Sequence, residues 1–499
     1  MAKIESIYAD WVLDSRGEPA VVAKVRLKNG IRARAIAPSG KSTGKYEAME
    51  LRDNDPNMFL GKGVQTAVNN VNTHIFNALR GMRIQEQQAI DARLRELDAK
   101  LAKKQGIGST LYEALPNYSI LGANATTAVS MACLKAAAAN RRVPLYEYLG
   151  GHVLPIPFLN VINGGQHAGN KDLAIQEFMI VPIHFQCFED ALRAGVEVYQ
   201  HLKKIIEQDP KYGKMGTNVG DERGFVPQIK TTREALDLLK AAIKAAGYEG
   251  RIFIAIDCAA SAFYDEKTNL YHIDGDYLNS DRLLKYYVKL ADDYPALLSI
   301  EDSFHDDDFK SFSKLIVQIG KSVQVVADDL TATQIKRLKQ MYQSAMAQIG
   351  RSEQACMSES ANNPTTLPLD ADQSGDTFEY GLSSRSALAF DPTILLKVNQ
   401  FGDISGAVDC VNYSQEKNWG VMVSHRSGET TDTTISDLAV GWNAGQIKSG
   451  APAGGERIAK YNRLLQIERQ LKGKSVYAGQ NIPAGLPKAK IMQAMHLRN

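Results

Sequence analysis

The sequence has 499 residues, 44% of them hydrophobic and 23% charged, with a net charge of +2 at pH 7. That length holds two or three domains and a large core, and the near-neutral balance excludes a general pull toward nucleic acid or membrane surfaces. The five cysteines, at positions 133, 187, 258, 356 and 410, are scattered and form no CxxC pair, which excludes a disulfide framework or zinc site and implies a reducing compartment. No apolar run reaches membrane-spanning length and no signal-peptide core opens the chain. Leu497-Arg498-Asn499 is not a peroxisomal address. A cytoplasmic protein is expected, with no membrane and no nucleic-acid partner.

The chain opens on strands. Apolar runs at 6–13 and 21–27 are followed by Asn29-Gly30, a strong hairpin signal. Next comes Ala37-Pro-Ser-Gly-Lys-Ser-Thr-Gly44. Its Gly40-Lys41-Ser42 resembles part of a nucleotide-binding loop, but that motif needs glycine where Ala35 stands. The stretch reads as a mobile loop that either folds over an anion or forms a surface turn. A helical pattern covers 62–101, with Val64, Val68, Val71 and Ile75 at helical spacing. A second, alanine-rich helix covers 123–142, and its small residues allow close packing. Punctuation from Gly150-Gly151 to Pro157 marks a domain boundary. The division predicted is an α+β domain at 1–152 and a second domain at 153–499.

Strands and helices then alternate. Phe158-Leu-Asn-Val-Ile-Asn163 leads into a glycine-rich loop, 164–170, and a strand carrying Glu177 follows. Helices are predicted near 188–208 and 231–247, with the acidic glycine loop Asn218-Val-Gly-Asp-Glu-Arg-Gly-Phe225 between them. Three apolar runs follow, each ending on an acid: 251–257 at Asp257, 296–302 at Glu301-Asp302 and 322–329 at Asp328-Asp329. A helix near 334–348, strands at 393–399, 420–424 and 446–448, and a helix at 456–471 complete the pattern. Such alternation predicts a barrel of the (β/α) type, whose C-terminal strand ends meet on one face. Asp257, Glu301 and Asp328 then converge. An acid after a strand is often only a helix cap, but three in series repel one another unless a hard divalent cation sits among them. Lys397 and Lys448 sit late in apolar strands and point to the same rim. Either they form structural salt bridges with these acids, or a neighbouring cation lowers a lysine pKa and leaves it a base. Carboxylates, a metal and a lysine base together suit proton abstraction next to a carboxylate.

These residues resemble enolase, the phosphopyruvate hydratase family. The resemblance rests on Asp14-Ser-Arg-Gly17, Pro38-Ser-Gly40 with Ser42-Thr-Gly44, Leu51-Arg-Asp53, Gly61-Lys-Gly63, Asn163-Gly-Gly165 with His167-Ala-Gly169, Gln176-Glu-Phe178, Ser299-Ile-Glu-Asp302, Lys397-Val-Asn-Gln400 and Ser424-His-Arg-Ser-Gly-Glu-Thr430. It covers nearly the whole chain. It implies an α/β protein, an α+β N-terminal domain followed by an enolase-type (β/α)8 barrel. It also implies a magnesium-dependent lyase of glycolysis and gluconeogenesis that reversibly dehydrates 2-phosphoglycerate to phosphoenolpyruvate. Two Mg2+ per active site are implied, the first held by Asp257, Glu301 and Asp328, the second by Ser42 with the substrate phosphate. Lys397 would be the base, Glu222 assisted by Glu177 the general acid, and Lys448 a stabiliser of the enolate. Arg426 and Ser427 would bind phosphate, and His167 and His425 would line the pocket.

Several neighbours depart from the family pattern. Lys41 stands where a small residue is usual, Gln166 for serine, Arg223 for glycine, Ser303 for proline and Ala327 for glycine, with one extra residue near Lys171-Asp172. A cation at Arg223 is expected to favour ionised Glu222 and so weaken a general acid. An insertion at about 350–391, rich in polar residues, reads as a loop on the face opposite the site. It is either a partner-binding arm or passive filler. An arginine–glutamate pair across the family's dimer appears here with charges exchanged, as Asp10 and Arg469, and a second pair is lost at Val22 and Gln466. The expectation is a homodimer that mixes poorly with ordinary enolase. The competing reading is a catalytically weak paralogue with a structural or interaction role. A third is another enolase-superfamily reaction on a different carboxylate, which the phosphate set Ser42, Arg426 and Ser427 opposes.

Overall fold

The computed structural model describes residues 2–41, 44–113, 117–169, 173–213, 215–362 and 391–496. Three antiparallel strands open the chain: β1 (Ile4–Leu13), β2 (Pro19–Leu27) and β3 (Arg32–Ile36). The turn between β2 and β3 holds Gly30 at φ +87°, as the hairpin signal predicted. The helix Ala123–Arg141 packs across β2 and β3, and its alanines are what let it lie so close. The pattern over 62–101 is not one helix. Helical turns over 65–79 stop, and a separate helix, Gln87–Lys104, begins after the break. Gly81, at φ +84°, takes the left-handed conformation that ends the first run.

From Ile156 the chain builds a closed barrel of eight strands. They are β4 (Ile156–Asn163), β5 (Glu177–Pro182), β6 (Ile252–Asp257), β7 (Leu297–Glu301), β8 (Gln324–Ala327), β9 (Thr393–Leu396), β10 (Gly420–Ser424) and β11 (Gly445–Lys448). Every residue in them is buried, between the barrel interior and the surrounding helices. That is why these segments read as unbroken apolar runs rather than alternating ones.

One strand corrects the expectation of an all-parallel barrel. β5 runs antiparallel to both β4 and β6, while the other neighbouring pairs are parallel. The connection 164–176 contains a single helical turn, Gly165–Ala168, and no helix to carry the chain back to the opposite rim. β5 therefore starts where β4 ended. Two helices, Phe188–Gln208 and Thr232–Ala245, then precede β6.

The sequence pattern also ended one helix too early. The helix beginning at Ile335 runs to Asn362, into the stretch expected to be a loop from 350. The rest of that insertion, 363–390, lies outside the described residues. A small antiparallel sheet, Tyr264–Asp265, Leu270–Ile273 and Asp276–Leu278, was not foreseen. The N-terminal domain is fixed to the barrel by a partly buried polar junction. Arg95 donates to both oxygens of Asp403 at 2.9 and 2.7 Å, and Asp91 accepts from the Ser405 backbone N–H at 3.0 Å.

Candidate active site

Strand register brings the acids together. Glu177, the first residue of β5, pairs across the sheet with Asp257, the last of β6, which pairs in turn with Glu301 at the end of β7. Neighbouring strands lie ~4.8 Å apart, so these carboxylates stand side by side at one rim. Asp328 follows β8, Lys397 follows β9 and Lys448 ends β11, all at the same rim. A cavity of about 300 Å3 opens over them, lined also by His167, Glu222, His425, Arg426 and Ser427. All the site residues expected from the sequence that fall within the described residues are thus gathered here or in its floor. Ser42 lies outside the described residues, as do Lys171 and Asp172; Lys41 and Gly44, on either side of 42–43, line the cavity.

Lys448, which is buried, and Lys397, which is half-buried, offset the charge of the acids. Lys448 Nζ lies 2.8 Å from Asp257, 2.8 Å from Glu301 and 3.1 Å from Glu177. Lys397 Nζ donates to Asp328. The lowered lysine pKa expected from the sequence is not what the protein's own groups produce. Burial pushes both ammonium groups down, but Asp328 beside Lys397 and the acids around Lys448 hold both above the ordinary value.

Two carboxyls are driven apart. Burial, with Glu222 beside it, holds Glu177 well above the usual carboxylate range. Burial works the same way on Glu222, but His425 and His167 outweigh it and hold Glu222 well below that range. The cation expected to do this, Arg223, does not. Its backbone sits at φ +70°, and its side chain turns away to Glu456 at 3.0 Å. Burial pushes His425 down to about 4, so it is neutral. Arg457 meets its Nδ1, which leaves the ring hydrogen on Nε2, 3.4 Å from Glu222. His167 Nδ1 lies 3.6 Å from Glu177 and 3.7 Å from Glu222.

The opposite wall is cationic. Arg426 forms a two-point pair with Glu47, at 2.8 and 3.1 Å. Fully buried Arg457 donates to the carbonyls of Arg426 and Ser427 at 2.7 and 2.6 Å, which fixes the turn carrying them. Lys41 spans two other loops, donating to Asp221 and to the Gln166 carbonyl, each at 2.7 Å.

The residues fit a hard divalent cation. Glu301 Oε2 is buried without a hydrogen-bond partner, and the donors around it are carboxylate oxygens, the set Mg2+ prefers. Two groups of acid and imidazole atoms lie within 4.8 Å of one another in this region: Asp302, Asp328 and Asp329, and His167, Glu177 and Glu222. Sequence reasoning missed Asp302, Glu47, Arg457 and Asn160 as supports. Asp302 accepts the backbone N–H groups of Asp328 and Asp329 at 2.9 Å each, and Asn160 donates to Glu222 at 3.1 Å. Asp302 had a signal, the doubled acid Glu301-Asp302; Asn160 and Arg457 had none, since each lies far along the chain from its partners.

Comparison with known proteins gives the same picture over most of the chain. Residues 4–149 match the family model "Enolase, N-terminal domain" and residues 151–349 and 385–485 match "Enolase, C-terminal TIM barrel domain". The enolase of Methanocaldococcus jannaschii is 45% identical over 482 residues, covering 96% of this chain and 98% of that protein. The Solanum lycopersicum enolase is 44% identical over 494 residues, covering 96% and 98%. That of Eimeria tenella is 43% identical over 498 residues, covering 96% and 99%.

Proposed function

Because this chain belongs to the enolase family, and as a phosphopyruvate hydratase interconverts 2-phosphoglycerate and phosphoenolpyruvate, we propose how the residues at the barrel rim divide the work. Lys397 takes the proton from C2 of the substrate as the neutral amine, which it would become once a cation bound at Asp328 offsets the negative charge that otherwise holds its proton on. Lys448, with its positive charge held by the acids around it against the effect of burial, faces the carboxylate that becomes doubly charged as that proton leaves. Glu177 and Glu222 act as a unit that carries one proton and gives it to the hydroxyl departing from C3, so that water leaves. His167 Nδ1 lies between the two carboxyls, within 3.7 Å of each. Arg426, held flat by Glu47, takes the phosphate with Ser427 and Ser42, and His425 keeps Glu222 ionised and in place. The family is metal-dependent. We assign two Mg2+ per site, one to Asp257, Glu301 and Asp328 and one to Ser42 with the phosphate. Bound there, they supply positive charge to the enolate carboxylate.

The observation that carries this reading is the meeting of buried Lys448 and half-buried Lys397 with acids from separate strands over one small polar cavity. The test is absorbance of phosphoenolpyruvate formed from 2-phosphoglycerate and Mg2+, with Lys397→Ala alongside. Activity that requires Mg2+ and vanishes in Lys397→Ala is the expected result. Activity retained in Lys397→Ala overturns the assignment of the base.

We also propose a homodimer joined through Asp10 and the partner's matching arginine. In support, Arg469 lies exposed on the surface, where its ion pair is with exposed Glu189 at 3.0 Å. Monomers in sedimentation, or free mixing with ordinary enolase subunits, would sink this. A cytoplasmic setting is proposed from the unpaired Cys133, Cys187, Cys258 and Cys410. Among the described residues no helix is long and apolar enough to cross a membrane.

A further inference from the structure

Gln400 is wholly buried and sits where three parts of the site meet. Its Nε2 donates to Asp328 Oδ1 at 3.0 Å and to Glu47 Oε1 at 3.5 Å. Its Oε1 accepts the Thr333 hydroxyl at 2.7 Å. That hydroxyl in turn accepts the backbone N–H of Lys397 at 3.1 Å. The amide can face only one way, because the reverse would aim its oxygen at two carboxylates. Its two N–H groups are thereby divided, one to each acid.

Those acids have different tasks. Asp328 belongs to the metal-holding set, while Glu47 grips the Arg426 guanidinium at both ends. The Gln400 backbone carbonyl adds a third tie. It accepts the Ala48 N–H at 2.7 Å, which seats the segment that follows the loop at 37–44. Asn399, next in line, accepts from Arg426 at 3.2 Å and donates to the Pro38 carbonyl at 3.2 Å, at the start of the same loop. A core glutamine kept only for packing would need one partner for each polar end. This one links a metal-ligand carboxylate, a phosphate-side carboxylate and the backbone of a loop.

We propose that Gln400 is a positioning residue. It sets the orientation of Asp328 for the metal and, through Glu47, that of Arg426 for the phosphate. The two half-sites thus share one buried amide. The inference rests on the roles given above to Asp328 and Arg426. Groups that orient a metal's ligands typically change metal affinity 10–100-fold when removed.

The test begins with Mg2+ titrated into the protein alone, by calorimetry, and continues with kcat and KM at saturating Mg2+. Gln400→Met keeps length and removes both donors. It is expected to weaken Mg2+ binding by roughly tenfold or more, and to raise KM for 2-phosphoglycerate even when Mg2+ saturates. Glu47→Gln is expected to raise KM while leaving Mg2+ affinity within about twofold, and the KM effects in the double variant should fall short of multiplying. Thr333→Val, which removes only the hydroxyl that anchors the amide, should weaken Mg2+ in the same direction by less. It decides the matter if Gln400→Met fails to fold. Mg2+ affinity within twofold of wild type in Gln400→Met, or in Thr333→Val if that is the folded variant, overturns the proposal. A wild-type protein that binds no Mg2+ overturns the underlying site assignment instead, and the two failures are distinct.

Discussion

Replacing Lys448 by methionine tests whether the acid cluster is balanced by its lysine. Lys448 is 2% exposed, and its ammonium lies within 3.1 Å of Asp257, Glu301 and Glu177. Removing one partner of a buried ion pair typically destabilises by about 3–5 kcal/mol. The acids limit the loss by taking up protons. Glu301 and Glu177 are already held well above the ordinary carboxylate range by burial, and losing the ammonium raises them further. A raised folded-state pKa means that the folded variant binds more protons than the unfolded chain in the window above the ordinary value. Its stability therefore falls as pH rises through that window. The deficit should be largest at pH 8 and should shrink toward pH 5. Mg2+ at about 100 times its Kd adds ~2.7 kcal/mol to a protein that binds it only when folded. The variant, with no ammonium competing for the carboxylates, should gain more than wild type from Mg2+. The assay is equilibrium urea unfolding at fixed protein concentration, at pH 5, 6.5 and 8, with and without Mg2+. A deficit under about 1 kcal/mol at pH 8, or one that neither pH nor Mg2+ changes, would refute the reasoning.

Three further outcomes are expected. Arg223→Gly relieves a left-handed backbone that costs a side-chain-bearing residue about 1–2 kcal/mol. It gives up a part-exposed ion pair worth under ~1 kcal/mol, so urea unfolding should show a small gain. kcat should stay within about twofold, since the guanidinium does not face Glu222; a large gain in kcat would restore Arg223 as a brake on the acid. Lys41→Ser unties the loops around Gln166 and Asp221. Global stability should move by less than ~1 kcal/mol while proteolysis in those loops quickens, and unchanged cleavage there would show that the tie is idle. Lys490, in the helix Lys488–His496, is pushed down to about 8 by burial. A pKa lowered by burial means that the charge costs folding energy at neutral pH. Lys490→Met should therefore stabilise by roughly 2 kcal/mol at pH 7, after allowing about 1 for the bond lost to the Leu297 carbonyl. Wild-type stability should rise relative to the variant between pH 8 and 10.5, closing the gap, and a gap constant over that range would count against the assignment.

The acid-ended strands were legible because a buried strand leaves a continuous apolar run, and a carboxylate at its end stands out against it. Asp257, Glu301 and Asp328 are found where that pattern put them. Lys397 and Lys448 were legible for the same reason, as charges in apolar company. The reversed direction of β5 was not legible, because an apolar run reads alike in both directions and only the missing crossover helix betrays it. The split of the 62–101 helix was missed because apolar spacing continues across Gly81, whose effect is on backbone conformation and not on pattern. Side-chain direction was illegible as well. Adjacency in sequence put Arg223 beside Glu222, yet the turn between them sends the two side chains apart.

The barrel closes where β11 pairs with β4, joining Gln446–Lys448 to Ile156–Phe158. The seam brings together the two ends of the barrel's sequence, so during synthesis it forms after every other strand has emerged. Lys448 is the last residue of that closing strand. A growing chain therefore carries Asp257, Glu301 and Glu177 through the 147 residues from Glu301 to Lys448 without the cation that balances them. Zipping the seam delivers that cation and completes the cylinder in one event. Charge balance in the acid cluster is thus also a readout of whether the ring has shut.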